Sequence, residues 1–145
     1  MLAIACDHAA VEFKQEIIAH LKKRGIACKD FGAFDADSVD YPDYARPVAE
    51  GVASGAFEKG ILICGTGIGM SIAANKVAGI RCALCSDTFS ARATREHNDA
   101  NVLALDARVL GIGLALDIVD IFVDTPFSND ERHIRRIDKI EGNCR

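Results

Sequence analysis

The sequence predicts an α/β protein, a single Rossmann-like three-layer αβα sandwich around a five-stranded parallel sheet. Three observations lead there. Short apolar runs and amphipathic stretches alternate along the whole chain, as right-handed βαβ units require. The run Gly60-Ile61-Leu62-Ile63-Cys64 reads as a buried strand and passes straight into a glycine loop, Gly65-Thr66-Gly67-Ile68-Gly69, with a helical pattern behind it. The 145 residues, half of them apolar, suffice for one core and show no linker, repeat or low-complexity stretch, so residues 1–145 are read as one domain.

The elements follow in order. Leu2 to Cys6 is the first strand. After Asp7, Phe13, Ile17 and Leu21 recur every four residues, the stripe of a helix that Gly25 ends. Ile26 to Phe31 is the second strand, and Gly32 to Asp40 is a polar loop. Tyr41-Pro42 opens a helix to about Ser54, with Pro47 limiting where its first turn begins. Ile61 to Cys64 is the third strand, and its helix starts near Gly69. Ile80 to Cys85 is the fourth strand, followed by a helix to about Glu96; Val102 to Leu105 is the fifth. Ile112 to Val123 is a helix apolar on most of its surface, with Asp117, Asp120 and Asp124 on one narrow face; such a helix suits burial on several sides, a second subunit included. A last helix covers about Asn129 to Ile140. The preferred strand order is 2-1-3-4-5. It makes strands one and three neighbours at the switch point, where ligands bind beyond the carboxyl ends of strands.

Composition narrows the function classes. A formal net charge of −4 argues against general nucleic-acid binding, so an anionic ligand needs a local patch. No secretion signal is evident at the N-terminus, and the most apolar run is cut by Asp117 and Asp120, so no bilayer span is expected and a cytoplasmic protein is. The six cysteines are read as reduced; Cys6, Cys28 and Cys82 sit in strand-like runs, and Cys82-Ala-Leu-Cys85 lacks the second pair of a zinc site, so no metal is expected.

The chemistry gathers at strand ends. Cys64 abuts a helix N-terminus and a row of amides, surroundings that favour a thiolate, which can act as nucleophile or base. Simple packing is the competing explanation. The Gly65-x-Gly67-x-Gly69 spacing is neither a dinucleotide fingerprint nor a P-loop; three alternate glycines before a helix suit a small oxyanion. Asp7 caps the first helix or touches a ligand at the switch point, with His8 beside it. Arg132 and Arg136 share one face of the last helix, as a solvated surface or as a phosphate clamp. His97, at the end of an antiparallel-running helix, lies at the sheet edge opposite Cys64; if catalytic, it works in a partner's site.

Taken together, Cys6-Asp7-His8-Ala9, Asp40-Tyr41-Pro42, Gly60 through Lys76, Arg95 through Leu105, and Arg132-His133 with Arg136 resemble the ribose-5-phosphate isomerase B family, which includes galactose-6-phosphate and allose-6-phosphate isomerases. The segments span nearly the whole chain in order. The resemblance implies metal-free and cofactor-free aldose–ketose isomerisation of a sugar phosphate in carbohydrate metabolism and the pentose phosphate pathway. By it, Cys64 is the base, Gly65, Gly67, Ile68 and Gly69 form the anion hole for a cis-enediolate, and Thr66 moves the proton between oxygens. His97 and Asp7 assist ring opening. His8, Arg108, Arg132 and Arg136 bind phosphate, while Tyr41, Ser71 and Asn98 contact the sugar. It also implies a homodimer with shared active sites, with pairing into tetramers left open.

Ala10, Asp106 and Glu131 stand where relatives usually carry glycine, and the two carboxylates beside phosphate arginines put the substrate in question. Ribose 5-phosphate is the expected substrate; a six-carbon sugar phosphate and a non-catalytic phosphosugar-binding module are the alternatives. A thiol at position 64 sealed in the apolar interior would overturn the mechanism.

Overall fold

The computed structural model describes residues 1–142; Cys144 lies outside the described residues. The chain runs β1 (Leu2–Cys6), α1 (Val11–Lys23), β2 (Cys28–Asp30), α2 (Tyr41–Ala53), β3 (Gly60–Cys64), α3 (Ile68–Ala74), β4 (Cys82–Leu84), α4 (Thr88–Asn98), β5 (Val102–Asp106), α5 (Ile112–Asp124) and α6 (Glu131–Ile140). A 3-10 turn, His8–Ala10, leads into α1. The five strands are parallel, in the order β2-β1-β3-β5-β4.

This order differs from 2-1-3-4-5, and burial explains why. All five residues of β5 are buried, so it needs a neighbour on each side and lies between β3 and β4. Only three residues of β4 pair, none of them fully buried, which suits an edge. β2, at the other edge, is equally short. At β4 the outward-facing backbone is occupied: the Asn75 amide accepts from Cys82 N at 2.8 Å and donates to Cys82 O at 2.9 Å, which blunts the edge against pairing with another chain.

Two apolar cores flank the sheet. Ile4, Ile61, Ile63, Leu103 and Leu105 pack with Ile17 and Leu21 of α1, Ala91 of α4 and Ile118 and Phe122 of α5. On the opposite face, Leu62, Cys64 and Val102 pack with Val48 and Val52 of α2 and Met70 of α3. Right-handed crossovers account for this sorting: β1→β2 and β5's approach from β4 run one way across the sheet, while β2→β3 and β3→β4 run the other. The loops after β1 and β3 therefore leave toward opposite faces and open a crevice between neighbouring strands.

One further expectation changes. Pro47 lies inside α2, which starts at Tyr41 with Pro42 in its first turn. Burial of Ala45, Val48, Ala49 and Val52 outweighs the missing N–H. α5 buries Ala115, Ile118, Val119 and Phe122 against its own chain and leaves Leu114 exposed; of its acidic face, Asp120 pairs with His20 and Arg24, and Asp124 with Arg24.

Candidate active site

The carboxyl edge of the sheet gathers Asp7, His8, Tyr41, Cys64, the glycine loop and Arg108. Cys64 ends β3 and is 5% exposed. Its Sγ accepts the Gly67 N–H at 3.1 Å, so the thiol faces the loop's amides as well as the apolar layer beneath. At the start of α3 the Gly67 N–H goes to Cys64 Sγ and the Ile68 N–H to Thr66 Oγ1, while Gly69 N has no carbonyl one turn earlier to satisfy it, which leaves it as a donor for an oxyanion. Thr66 is exposed, and its Oγ1 accepts from Ile68 N at 3.4 Å. Ser71 Oγ donates to Ile68 O at 2.8 Å.

Each glycine in the loop answers a separate steric demand. Gly67 has φ +69, and a Cβ there would strike Leu84 and the Leu105 carbonyl. A Cβ on Gly65 would sit 3.2 Å from Arg108 Cδ and Nε; one on Gly69 would sit 2.6 Å from the Tyr41 ring. The phosphate candidate Arg108 and the sugar candidate Tyr41 thus close over the loop because it lacks side chains. Arg108 N also donates to Gly65 O at 3.0 Å.

Asp7 N donates to Ile63 O at 3.0 Å and Asp7 Oδ1 accepts from Ala9 N at 2.9 Å, so it caps the 3-10 turn and stands at the crevice as well. His8 Nδ1 accepts the Val39 N–H at 3.3 Å. That bond places the ring proton on Nε2 and makes that atom a donor. Asp106, the register partner of Cys64, sends Oδ2 to Ser86 Oγ at 2.8 Å, while its buried Oδ1 has no partner among the described residues. The carboxylate is therefore held by Ser86 and not by Arg108.

His97, Asn98, Arg132 and Arg136 lie elsewhere. The segment after α4 returns to the sheet where Gly60 N meets Asn101 O, at the amino end of β3. His97 stacks on His133 with ring centroids 4.5 Å apart, and His133 Nδ1 meets Ser128 Oγ at 2.7 Å. Burial, then the neighbouring His97 and Arg132, hold His133 below its ordinary pKa. Arg132 pairs with Asp130, not Glu131. One copy of the chain does not bring these residues to Cys64.

Two arginines organise this edge: Arg81, outside the matching segments, and Arg95, inside one of them but without an expected role. Buried Arg95 binds Thr125 O, Asp99 and Ala100 O, and Arg81 ties Asn98 O and Asp99 to Glu141 after α6. For Arg95 the available signal was its place in the Arg95–Leu105 segment, two residues before His97. The other cysteines fit packing: burial pushes Cys6 and Cys85 up to about 11 and Cys82 to about 12, which keeps them as thiols. Among the described residues, no group of three or more His, Cys, Asp or Glu is placed to hold a metal, and no helix is long and apolar enough to cross a membrane.

The family described as Ribose/Galactose Isomerase matches residues 2–140. The chain is 48% identical to the ribose-5-phosphate isomerase B of Escherichia coli over 139 residues, covering 96% of this chain and 93% of that protein. It is 39% identical over 146 residues to a galactose-6-phosphate isomerase subunit of Clostridium acetobutylicum, covering 99% and 84%. The solved ribose-5-phosphate isomerase B of Clostridium thermocellum superposes with a TM-score of 0.95 at 52% identity, covering 98% of this chain and 95% of that one.

Proposed function

The chain belongs to the ribose/galactose isomerase family and is an aldose–ketose isomerase of sugar phosphates; within that class, we propose that it interconverts ribose 5-phosphate and ribulose 5-phosphate through a cis-enediolate, with Cys64 as base. The observation that carries this reading is the Cys64 Sγ under the Gly67 amide, beside a loop whose glycines let Arg108 and Tyr41 close over it.

The chemistry then runs as follows. The Cys64 thiolate removes the C2 proton of the open-chain aldose and becomes a thiol. Negative charge develops on O1, where the amides of Gly65, Gly67, Ile68 and Gly69 can stabilise it; one such donor is worth about 10²–10³ in rate. Thr66 passes a proton between O2 and O1, and the thiol returns its proton to C1. No atom is lost and no redox partner is needed. His8 and Arg108 hold the phosphate, which orients the reacting carbons. Tyr41 and Ser71 contact the sugar from the same copy, and Asn98, which lies with His97, contacts it from a second copy.

His97, for ring opening with Asp7, and Arg132 and Arg136, for phosphate, come from a second copy in a homodimer whose sites are shared. Support for that pairing is the exposure of Phe34, Ile68, Ile72, Leu84 and Val109. Asp106 does not count against the phosphate site, because Ser86 holds it. The galactose-6-phosphate relative keeps a six-carbon substrate as the second reading.

The test is a panel of five- and six-carbon aldose phosphates in deuterated water. Ribose 5-phosphate should lose its C2 proton fastest. Cys64→Ala should lower turnover by about 10³ or more with little change in unfolding midpoint. Wild-type exchange in that variant removes the base assignment; faster exchange of a six-carbon sugar replaces the substrate.

A further inference from the structure

Lys14 is completely buried, and nothing in the reaction uses it. Its Nζ donates to Asp30 Oδ1 and to Ala33 O, each at 2.7 Å, and lies 5.0 Å from the centre of the Phe34 ring. Asp30 Oδ1 also accepts from Gly32 N at 2.9 Å. Cys6 completes the anchorage: its N donates to Gly32 O at 2.6 Å and its O accepts from Ala33 N at 2.7 Å. The loop over residues 31–40 is thereby nailed down at its start. Its far end is held by one contact to the site, the Val39 N–H given to His8 Nδ1.

Stability alone does not call for this arrangement. Removing an ammonium from water is costly, and well-packed apolar residues often replace a buried ion pair without loss. What the ammonium supplies is direction: it grips a carbonyl and a carboxylate at fixed angles and sets where the loop leaves the sheet. That loop carries the amide which selects the His8 tautomer with its proton on Nε2.

We propose that Lys14 is a positioning residue for substrate phosphate, acting through the 31–40 loop and the Val39 amide on His8. The proposal rests on the reading of His8 as a phosphate contact. It assigns an electrostatic task in phosphate binding to a side chain that never touches the ligand.

The experiment compares wild type, Lys14→Met and the double variant Lys14→Met/Asp30→Asn, the last leaving no unpaired buried charge. Circular dichroism and urea unfolding establish that each is folded. KM for ribose 5-phosphate and the inhibition constant of inorganic phosphate should rise together by roughly tenfold, with kcat within about threefold of wild type. The ¹⁵N resonances of His8 should lose the pattern of a ring protonated at Nε2 alone. In a His8→Ala background, Lys14→Met should add no further loss of phosphate affinity. Unchanged KM, phosphate inhibition and His8 resonances in the folded double variant would overturn the proposal, as would full additivity with His8→Ala. Phosphate titration followed by NMR needs no turnover. A wild-type protein that binds phosphate through His8 yet isomerises no pentose phosphate would sink the substrate reading and leave the Lys14 result standing.

Discussion

At the carboxyl edge of the sheet the proposed site is made of backbone. Cys64 sits beneath the Gly67 amide, and the loop's glycines allow Arg108 and Tyr41 to approach. At the amino edge, about 13 Å away along the five residues of β3, the residues proposed to complete a partner's site are side chains: His97 against His133, with Arg132 and Arg136 exposed on α6. In the proposed reaction the first region offers fixed dipoles for a charge that appears in the transition state. The second is proposed to offer full charges and an imidazole to groups the substrate already carries. Each is braced separately, the first by close packing and the second by Arg95 and Arg81. In the homodimer proposed above, a two-fold axis presents the amino edge of one copy to the carboxyl edge of the other twice over, giving two complete sites.

Mixing inactive variants breaks or sharpens this comparison most directly. Cys64→Ala damages one edge and His97→Ala the other, and each alone should lose turnover by about 10² or more. Refolded together in equal amounts, they should recover about a quarter of wild-type activity, since half the dimers are hybrid and each hybrid holds one undamaged site. A mixture no more active than its parts means that each copy works alone.

A smaller effect separates backbone from side chain. Gly67→Ala puts a Cβ where φ is +69 and the Leu105 carbonyl is close, so urea denaturation should show a loss of about 1–3 kcal/mol. The same change should cut kcat by about tenfold or more through the displaced amides, with less effect on KM. Unaltered kcat in the folded variant would detach the loop from catalysis.

The smallest effect concerns pH at the amino edge. The folded state holds His133 below its ordinary 6.5, so as pH falls below 6.5 the unfolded chain takes up a proton that the folded one refuses. Stability should therefore decline from pH 6.5 downward, through the lowered value. Asp130 and Asp87, held low first by the amides of Arg132 and Ser90, add their losses only below their ordinary 3.8. Urea titrations of wild type and His133→Gln across pH 5 to 7 check the sign, within the window set by the ordinary histidine pKa. A slope that persists in the variant assigns it to another group.

Some of this was legible before any coordinates. Alternating apolar runs carry the βαβ class because helix and strand periods are local. Gly65-Thr66-Gly67-Ile68-Gly69 declared itself because amides without side chains at a helix start have few other uses. Even the separation of His97 from Cys64 follows from helix direction alone. The roles of Lys14, Arg95 and Ser86 were not legible, because each is understood only through partners 5 to 30 positions away. Nor was it visible that Asp106 turns to Ser86.

By itself the sequence determined the element types, the βαβ succession and the position of the thiol ahead of its loop, since each depends on neighbours within one or two turns. Only the tertiary structure decided that β5 lies inside β4, which face of α5 meets the core, and that a lysine is buried under the 31–40 loop. Those outcomes depend on which distant surfaces exclude water from one another, and no local pattern records that competition.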